Sequence, residues 1–397
     1  MKKNIKKLKK LFILSLFALI VLSSSSFVKA EPGYTSLEVS LPSSSLAESL
    51  LSCAILEDQE TPTYVNGKYT NGKYRSEGEP SVAKLYYYCL TEFFKGLPLR
   101  SNHYYYGQRN FDINKLVEKS EIPQSSFSPK ITWLKHASFL IQIGNVNILV
   151  DPILAETSKL FPCNFETIYT QEDMPEKIDV ILITHNHVDH MDIKSLHILK
   201  AYSEDVLVCV PSGNKEKFSD VFGFEKICEF NWWDSLPFLD SQVTFTFLPA
   251  IHWTVFGLGF RCANKAHWGG WMISHNNGEK DFNIYCGGDT YYNEKLFSDI
   301  AEQFPSIDVA IMGIGPNKPK ESVEHVHLDA QMAVQALIKL KAKCLVPMHF
   351  GAYRIGTDRF KLPFERLMAE WGREENMYEL DGKKMCLLPF GGQVEFA

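Results

Sequence analysis

Val180-Ile181-Leu182-Ile183-Thr184-His185-Asn186-His187-Val188-Asp189-His190 is the stretch from which the rest of the sequence can be read. Its first four residues are wholly apolar, the mark of a strand buried on both faces. Its last six place three imidazoles and a carboxylate in a tight polar loop. Such a loop turns alternate and adjacent side chains toward one point, and nitrogen and carboxylate donors together suit a zinc ion. One histidine on a polar loop is ordinarily a surface residue; three beside an aspartate, directly after a buried strand, read as metal ligands.

One ion needs three or four ligands and two need six or more, so further donors are expected downstream. His252 follows the apolar run Val243 to Leu248, after Pro249-Ala250. Asp289 follows Phe282 to Cys286 and the pair Gly287-Gly288, which permits close backbone approach. His349 follows Cys344-Leu345-Val346-Pro347-Met348. Each stands at a predicted strand end, where open αβ sheets place their sites.

Further strands are expected over Ile131 to Leu134, Ser138 to Ile143, Asn147 to Val150, Val206 to Val210, Gly270 to Ser274 and Val309 to Met312. Gly144-Asn145 is the expected hairpin turn between the second and third of these. Leu328 to Leu340 has helical spacing, with Asp329 favouring its first turn. Val82 to Leu97 has helix-like spacing as well. Strands interleaved with helices over this length indicate a layered α/β domain.

Three regions follow. Residues 1–30 read as a signal peptide: six lysines lie within the first ten residues, Leu11 to Leu22 is apolar, and Val28-Lys29-Ala30 offers a cleavage site. That core is shorter than the ~20 residues that span a bilayer, so the expectation is export to the periplasm or beyond. Residues 31–128 form a partly irregular N-terminal extension, and 129–397 the catalytic domain. Without its first thirty residues the chain carries 34 basic against 47 acidic residues, about −13, which gives nucleic acid no electrostatic footprint. Nine cysteines occur singly, with no Cys-x-x-Cys pair. Cys209 and Cys286 lie in apolar runs and are expected to act as small buried hydrophobes rather than disulfide partners.

Several motifs carry a resemblance. Ile131-Thr132-Trp133-Leu134-Lys135-His136-Ala137 with Asp151-Pro152-Ile153, Asn231-Trp232-Trp233-Asp234 and Pro249-Ala250-Ile251-His252-Trp253 are three of them. Asn264-Lys265-Ala266-His267-Trp268-Gly269-Gly270-Trp271 and Gly287-Gly288-Asp289-Thr290 extend the match. With the histidine run, they make the sequence similar to the metallo-β-lactamase superfamily. Within it, the chain resembles the N-acyl-phosphatidylethanolamine-hydrolysing phospholipase D branch and its bacterial relatives, from about Ser128 to near the C-terminus.

The resemblance implies a four-layer αββα sandwich holding two zinc ions, with iron or manganese as alternatives. His185, His187 and His252 would hold one ion, Asp189, His190 and His349 the other, and Asp289 would bridge them. Asp189 and Asp289 would also orient a hydroxide nucleophile shared by the metals, and His327 would stand by the substrate as the candidate leaving-group acid. The implied partner is a phospholipid or other phosphodiester, with peripheral membrane contact. A lactone opened by the same site and a vestigial zinc-binding protein are the rival readings. His136 is expected as support beneath the site, and His267 as packing or beside the substrate. His103, His197, His275 and His325 are expected on the surface; Trp232, Trp233, Trp268 and Trp271 in the core. The chain departs from the branch at Ile314-Gly315-Pro316-Asn317-Lys318-Pro319 and around Phe161-Pro162-Cys163, and both segments should border the pocket.

Overall fold

In the computed structural model the described residues are 68–74, 84, 105–106, 112–156, 163–203, 205–239, 242–256, 263–318, 320 and 325–397. The expected signal peptide, His103 and nearly all of the expected helix over Val82 to Leu97 lie outside them.

Two seven-stranded sheets form the framework. The first contains β1 (Lys130–Lys135), β2 (Ser138–Ile143), β3 (Val146–Val150), β4 (Val180–Leu182), β5 (Leu207–Pro211) and β6 (Ile227–Phe230), with β14 (Gln393–Glu395) beside β1. The second contains β7 (Ser235–Phe238), β8 (Val243–Leu248), β9 (Gly270–Asn276), β10 (Asp281–Cys286), β11 (Val309–Gly313), β12 (Cys344–Met348) and β13 (Lys384–Met385). Both are mixed in the same way. Antiparallel pairing links β14 through β3 and β7 through β10, and parallel pairing links β3 through β6 and β10 through β13. Helices α1 (Ile193–Tyr202), α2 (Lys215–Asp220), α3 (Glu294–Gln303), α4 (Ala330–Lys339) and α5 (Leu362–Trp371) flank them. This is the expected α/β sandwich.

The physical reasons are local. β2, β3, β4, β5, β11 and β12 are buried along their whole length, which requires continuous rather than alternating apolar sequence. The helices start where side chains satisfy their free N–H groups: Asp192, Asn293 and Asp329 accept from the backbone of Ser195, Leu296 and Met332. β6, β7, β13 and β14 escape the sequence pattern because they are short and partly exposed.

This topology brings seven chain segments to one edge. β1, β3, β4, β8, β10, β11 and β12 run so that their C-terminal ends deliver His136, Asp151, the His185 loop, His252, Asp289, Gly315 and His349 to the same side. Among the described residues no helix is long and apolar enough to cross a membrane. Cys209 and Cys286 are buried, as expected, and Cys286, Cys163, Cys344 and Cys386 are free thiols.

His275 corrects one expectation. It is 4% exposed and lies over the β2–β3 turn. There Gly144 and Asn145 have φ of 57° and 62°, the mirror-image turn that matches strand twist. A Cβ on Gly144 would stand 2.6 Å from His275 Nε2, so the ring occupies the space that a side chain would need. Gly144→Ala is therefore expected to cost about 2–4 kcal/mol, combining left-handed backbone strain with overpacking. In a His275→Ala background only about 1–2 kcal/mol of backbone strain should remain. Urea unfolding of the four proteins of this cycle measures both figures; equal costs in the two backgrounds would refute the packing account.

Candidate metal centre

Two clusters of donors meet at the common edge. His185, His187, His252 and Asp289 each offer an atom within 4.8 Å of the others, and so do His136, Asp189, His190 and His349. Asp289, His327 and His349 form a third, overlapping group. Every residue expected to bind metal is therefore present in one place, and His327 is beside them.

The groups behind the rings set their chemistry. His252 Nδ1 donates to the Val326 carbonyl at 2.8 Å and His349 Nδ1 to the Gly315 carbonyl at 2.9 Å. A carbonyl only accepts, so both rings carry their hydrogen on Nδ1 and present an Nε2 lone pair to the site. His190 Nδ1 lies 2.8 Å from Asp151 Oδ2, with the same result. The Thr184 hydroxyl donates to that carboxylate at 2.6 Å, which leaves its oxygen to accept from His185 Nδ1 at 2.9 Å. Four imidazoles are thus oriented as metal-binding histidines are.

Those lone pairs face one another. His187 Nδ1 is 2.9 Å from His185 Nε2 and 3.1 Å from His252 Nε2. A single N–H can satisfy only one of these contacts, leaving the other as lone pair against lone pair unless a cation lies between them. The separations are close to the ~3.3 Å edge of a tetrahedron with Zn–N bonds of about 2.0–2.1 Å. In the second cluster the Nε2 atoms of His190 and His349 are buried and make no hydrogen bond, although Asp289 oxygens lie 3.4 and 3.1 Å away. The residues fit a metal.

Electrostatics agree. Burial, the largest cause, pushes His187 down to about 4 and His252 and His327 down to about 3, keeping them neutral. Burial opposes charge on His190 and His349, yet the Asp289 carboxylate raises both above their ordinary value. Burial would raise Asp289, but the His349 and His190 rings hold it well below the carboxylate range. The site demands positive charge, which protons supply in part when no metal does. Asp189 and His327 keep 27% and 18% of their side chains exposed, so the centre opens to solvent on their side.

Asp289 reaches both clusters. Oδ2 lies 3.9 Å from His185 Nε2 and 3.7 Å from His252 Nε2, and Oδ1 lies 3.1 Å from His349 Nε2. His136 is more intimate with the site than support beneath it requires: its Nε2 is 3.3 Å from Asp189 Oδ2. Burial, and then the neighbouring His349, push this ring down to about 3.

The tryptophans brace the loops from behind. Trp133 Nε1 donates to the His136 carbonyl at 2.8 Å, Trp271 to Ile183 at 3.0 Å and Trp268 to Ala250 at 3.1 Å. Trp232 donates to the Trp268 carbonyl. Trp232, Trp233, Trp268 and Trp271 are all buried, as expected. His267 is buried as well, stacked on Tyr69 with centroids 4.7 Å apart, so its part is packing. Of the two segments that depart from the branch pattern, the one at Gly315-Pro316 borders the centre. Gly315 and Pro316 line a narrow cavity shared with His136, His349 and Tyr353, and Cys163 pairs with Tyr353. Phe161 and Pro162 lie outside the described residues.

Two residues of this architecture have roles that the sequence does not assign. Asp151 stands in a motif of the resemblance and ends a strand, but nothing there signals that it orients His190. Asn71 lies far upstream, in a segment of weak periodicity.

Residues 146–350, just over half of the chain, match the family described as "Beta-lactamase superfamily domain". Two relatives are named N-acyl-phosphatidylethanolamine-hydrolyzing phospholipase D. The mitochondrial one of Saccharomyces cerevisiae is 27% identical over 272 residues, 66% of this chain and 55% of its own length. The one numbered 1 in Caenorhabditis elegans is 26% identical over 293 residues, 69% of this chain and 79% of its own. The match thus spans little more than half of the yeast protein. A metal-dependent hydrolase of Koribacter versatilis is 29% identical over 237 residues, 58% of this chain and 88% of its own. Among solved structures, an isothiocyanate hydrolase from Delia radicum gut bacteria superposes with a TM-score of 0.50 at 19% identity, covering 68% of this chain and 99% of that one. The two-sheet framework, the donors at its strand ends and the family match over residues 146–350 together place this chain in the metallo-β-lactamase superfamily.

Proposed function

We propose that the chain is a zinc-dependent hydrolase with two metal ions, cleaving the phosphodiester of a glycerophospholipid in the manner of a phospholipase D. The position of Asp289 between the two donor sets, 3.9 and 3.7 Å from His185 and His252 and 3.4 and 3.1 Å from His190 and His349, is the observation that carries the two-metal reading. The names of the yeast and worm relatives support the substrate class.

In this reading His185, His187 and His252 hold one ion, and Asp189, His190 and His349 the other, with Asp289 shared. Bound there, divalent zinc supplies a nucleophile from water at neutral pH and neutralises charge that builds on phosphoryl oxygens. The chain's own residues do the rest. Asp151 and the carbonyls of Gly315 and Val326 keep the imidazoles in one tautomer. Asp189 and Asp289 orient the nucleophile through their free lone pairs. His327, with Nδ1 3.5 Å from Asp289 Oδ2, is neutral at rest; beside the substrate it would take up the proton that the attacking water gives up and relay it to the leaving alcohol.

Head-group release from mixed phospholipids, followed by mass spectrometry beside a lactone panel, tests the reaction. Turnover on phospholipid is expected, and His185→Ala or Asp289→Ala should lower it by about 100-fold or more, since each removes a metal ligand. Turnover on lactones alone would replace the phosphodiester reading. Full activity in His185→Ala would overturn the metal mechanism, and elemental analysis of the same sample separates zinc from iron or manganese.

The role of Asp151 is tested apart from turnover. Asp151→Asn keeps the shape of the side chain but weakens the acceptor behind His190, so metal affinity should fall about 10–100-fold in chelator competition. Unchanged affinity would show that Asp151 serves packing alone.

A further inference from the structure

Residues 68–74 stand more than fifty positions ahead of β1, yet they close over the His252 side of the centre. Tyr69 N–H donates to the Asn264 carbonyl at 2.8 Å, and Asn264 Nδ2 donates back to the Tyr69 carbonyl at 3.3 Å. The Tyr69 ring stacks on His267 with an interplanar angle of 6°. Beyond the turn, Tyr74 N–H donates to the Asn71 carbonyl at 3.0 Å and the Tyr74 hydroxyl to Asp299 at 2.9 Å. Tyr74 is 1% exposed and Asn71 is 3% exposed. The segment is thus anchored on both sides of Asn71.

Between these anchors, Asn71 Oδ1 accepts two hydrogen bonds. One comes from the His252 backbone N–H at 3.2 Å, the other from Trp268 Nε1 at 3.1 Å. The His252 N–H lies past the end of β8, where no neighbouring strand offers it an acceptor among the described residues. Trp268 Nε1 is shared with the Ala250 carbonyl, two residues before His252. One amide oxygen therefore ties the His252 backbone to the indole that braces the same loop. The His252 ring is fixed separately, through Nδ1 and Val326. Without the Asn71 oxygen a buried N–H is left unsatisfied, and the loop must move to find water or another acceptor.

We propose that Asn71 is a positioning residue of the metal centre, acting through His252 to place one member of the His185, His187, His252 donor set. Residues 68–74 of the N-terminal extension are then part of the centre's construction. This inference rests on the metal-centre reading above but is independent of substrate and reaction.

The test uses the full-length protein stripped of metal and titrated with zinc against a competing chelator, then with cobalt(II) followed by its visible absorption. Asn71→Ala should weaken one ion by about 10–100-fold and leave the other within twofold of wild type. Asn71→Asp keeps an acceptor oxygen in place and should recover most of the lost affinity. On the metal-free proteins, hydrogen exchange at the His252 amide should quicken at least about tenfold in Asn71→Ala, with the amides of β8 unchanged. Wild-type affinity for both ions in Asn71→Ala would overturn the proposal. So would equal loss of both ions in step with faster exchange throughout β8, or an Asn71→Asp protein as impaired as Asn71→Ala. Should Asn71→Ala not fold, Asn71→Asp still decides through its affinities and its His252 exchange. If the wild type takes up no metal, the proposed function fails, whereas slow His252 exchange lost in Asn71→Ala would still establish the clip.

Discussion

Asp151 accepts from the Thr184 N–H at 2.8 Å and the Thr184 hydroxyl at 2.6 Å, and its Oδ2 lies 2.8 Å from His190 Nδ1. Through the hydroxyl it also sets the hydrogen of His185. One buried carboxylate at the end of β3 therefore orients two imidazoles of the loop that follows β4. It can do so because β3 and β4 are parallel neighbours whose ends lie side by side. The arrangement is costly by itself. A buried charge needs compensation, and here hydrogen bonds and a cation-seeking cluster provide it. Around this point, His252 and His349 are aimed inward by carbonyls that leave their Nε2 lone pairs free.

The second sheet repeats the device with different parts. Backbone carbonyls of Val326 and Gly315 take the place of Asp151 behind His252 and His349. The two sheets are joined at the centre by indole N–H groups and by Asp289. Trp271 belongs to β9 in the second sheet, yet donates to Ile183 just before the histidine loop of the first. Asp289 likewise leaves β10 to meet His190 and His185. The donor set is therefore assembled from both sheets, and its geometry depends on how the two pack.

What the sequence reveals of this follows from how local each cause is. The histidine run and the donors His252, Asp289 and His349 are legible because each directly follows an apolar strand. Gly144-Asn145 is legible because the mirror-image turn needs positive φ at both residues. His275 is misread because its burial depends on a glycine 131 positions earlier in the chain. β7 is missed because Pro237 and partial exposure blur its pattern. Asn71 is illegible for the strongest reason: its importance lies in one oxygen meeting two donors nearly two hundred residues away.

The tryptophan motifs also change meaning once seen in three dimensions. They are the specific part of the resemblance, and a lipid-facing surface would have tied them to substrate. Instead their rings are buried and their N–H groups hold the carbonyls of His136, Ile183 and Ala250. What they encode is the construction of the centre. Of the segments that differ, Gly315 and Pro316 line the cavity that His136 and His349 share. Centre and cavity are thus built by largely separate residues. The residues that build the centre lie behind the donors, and those that line the cavity lie in front of them.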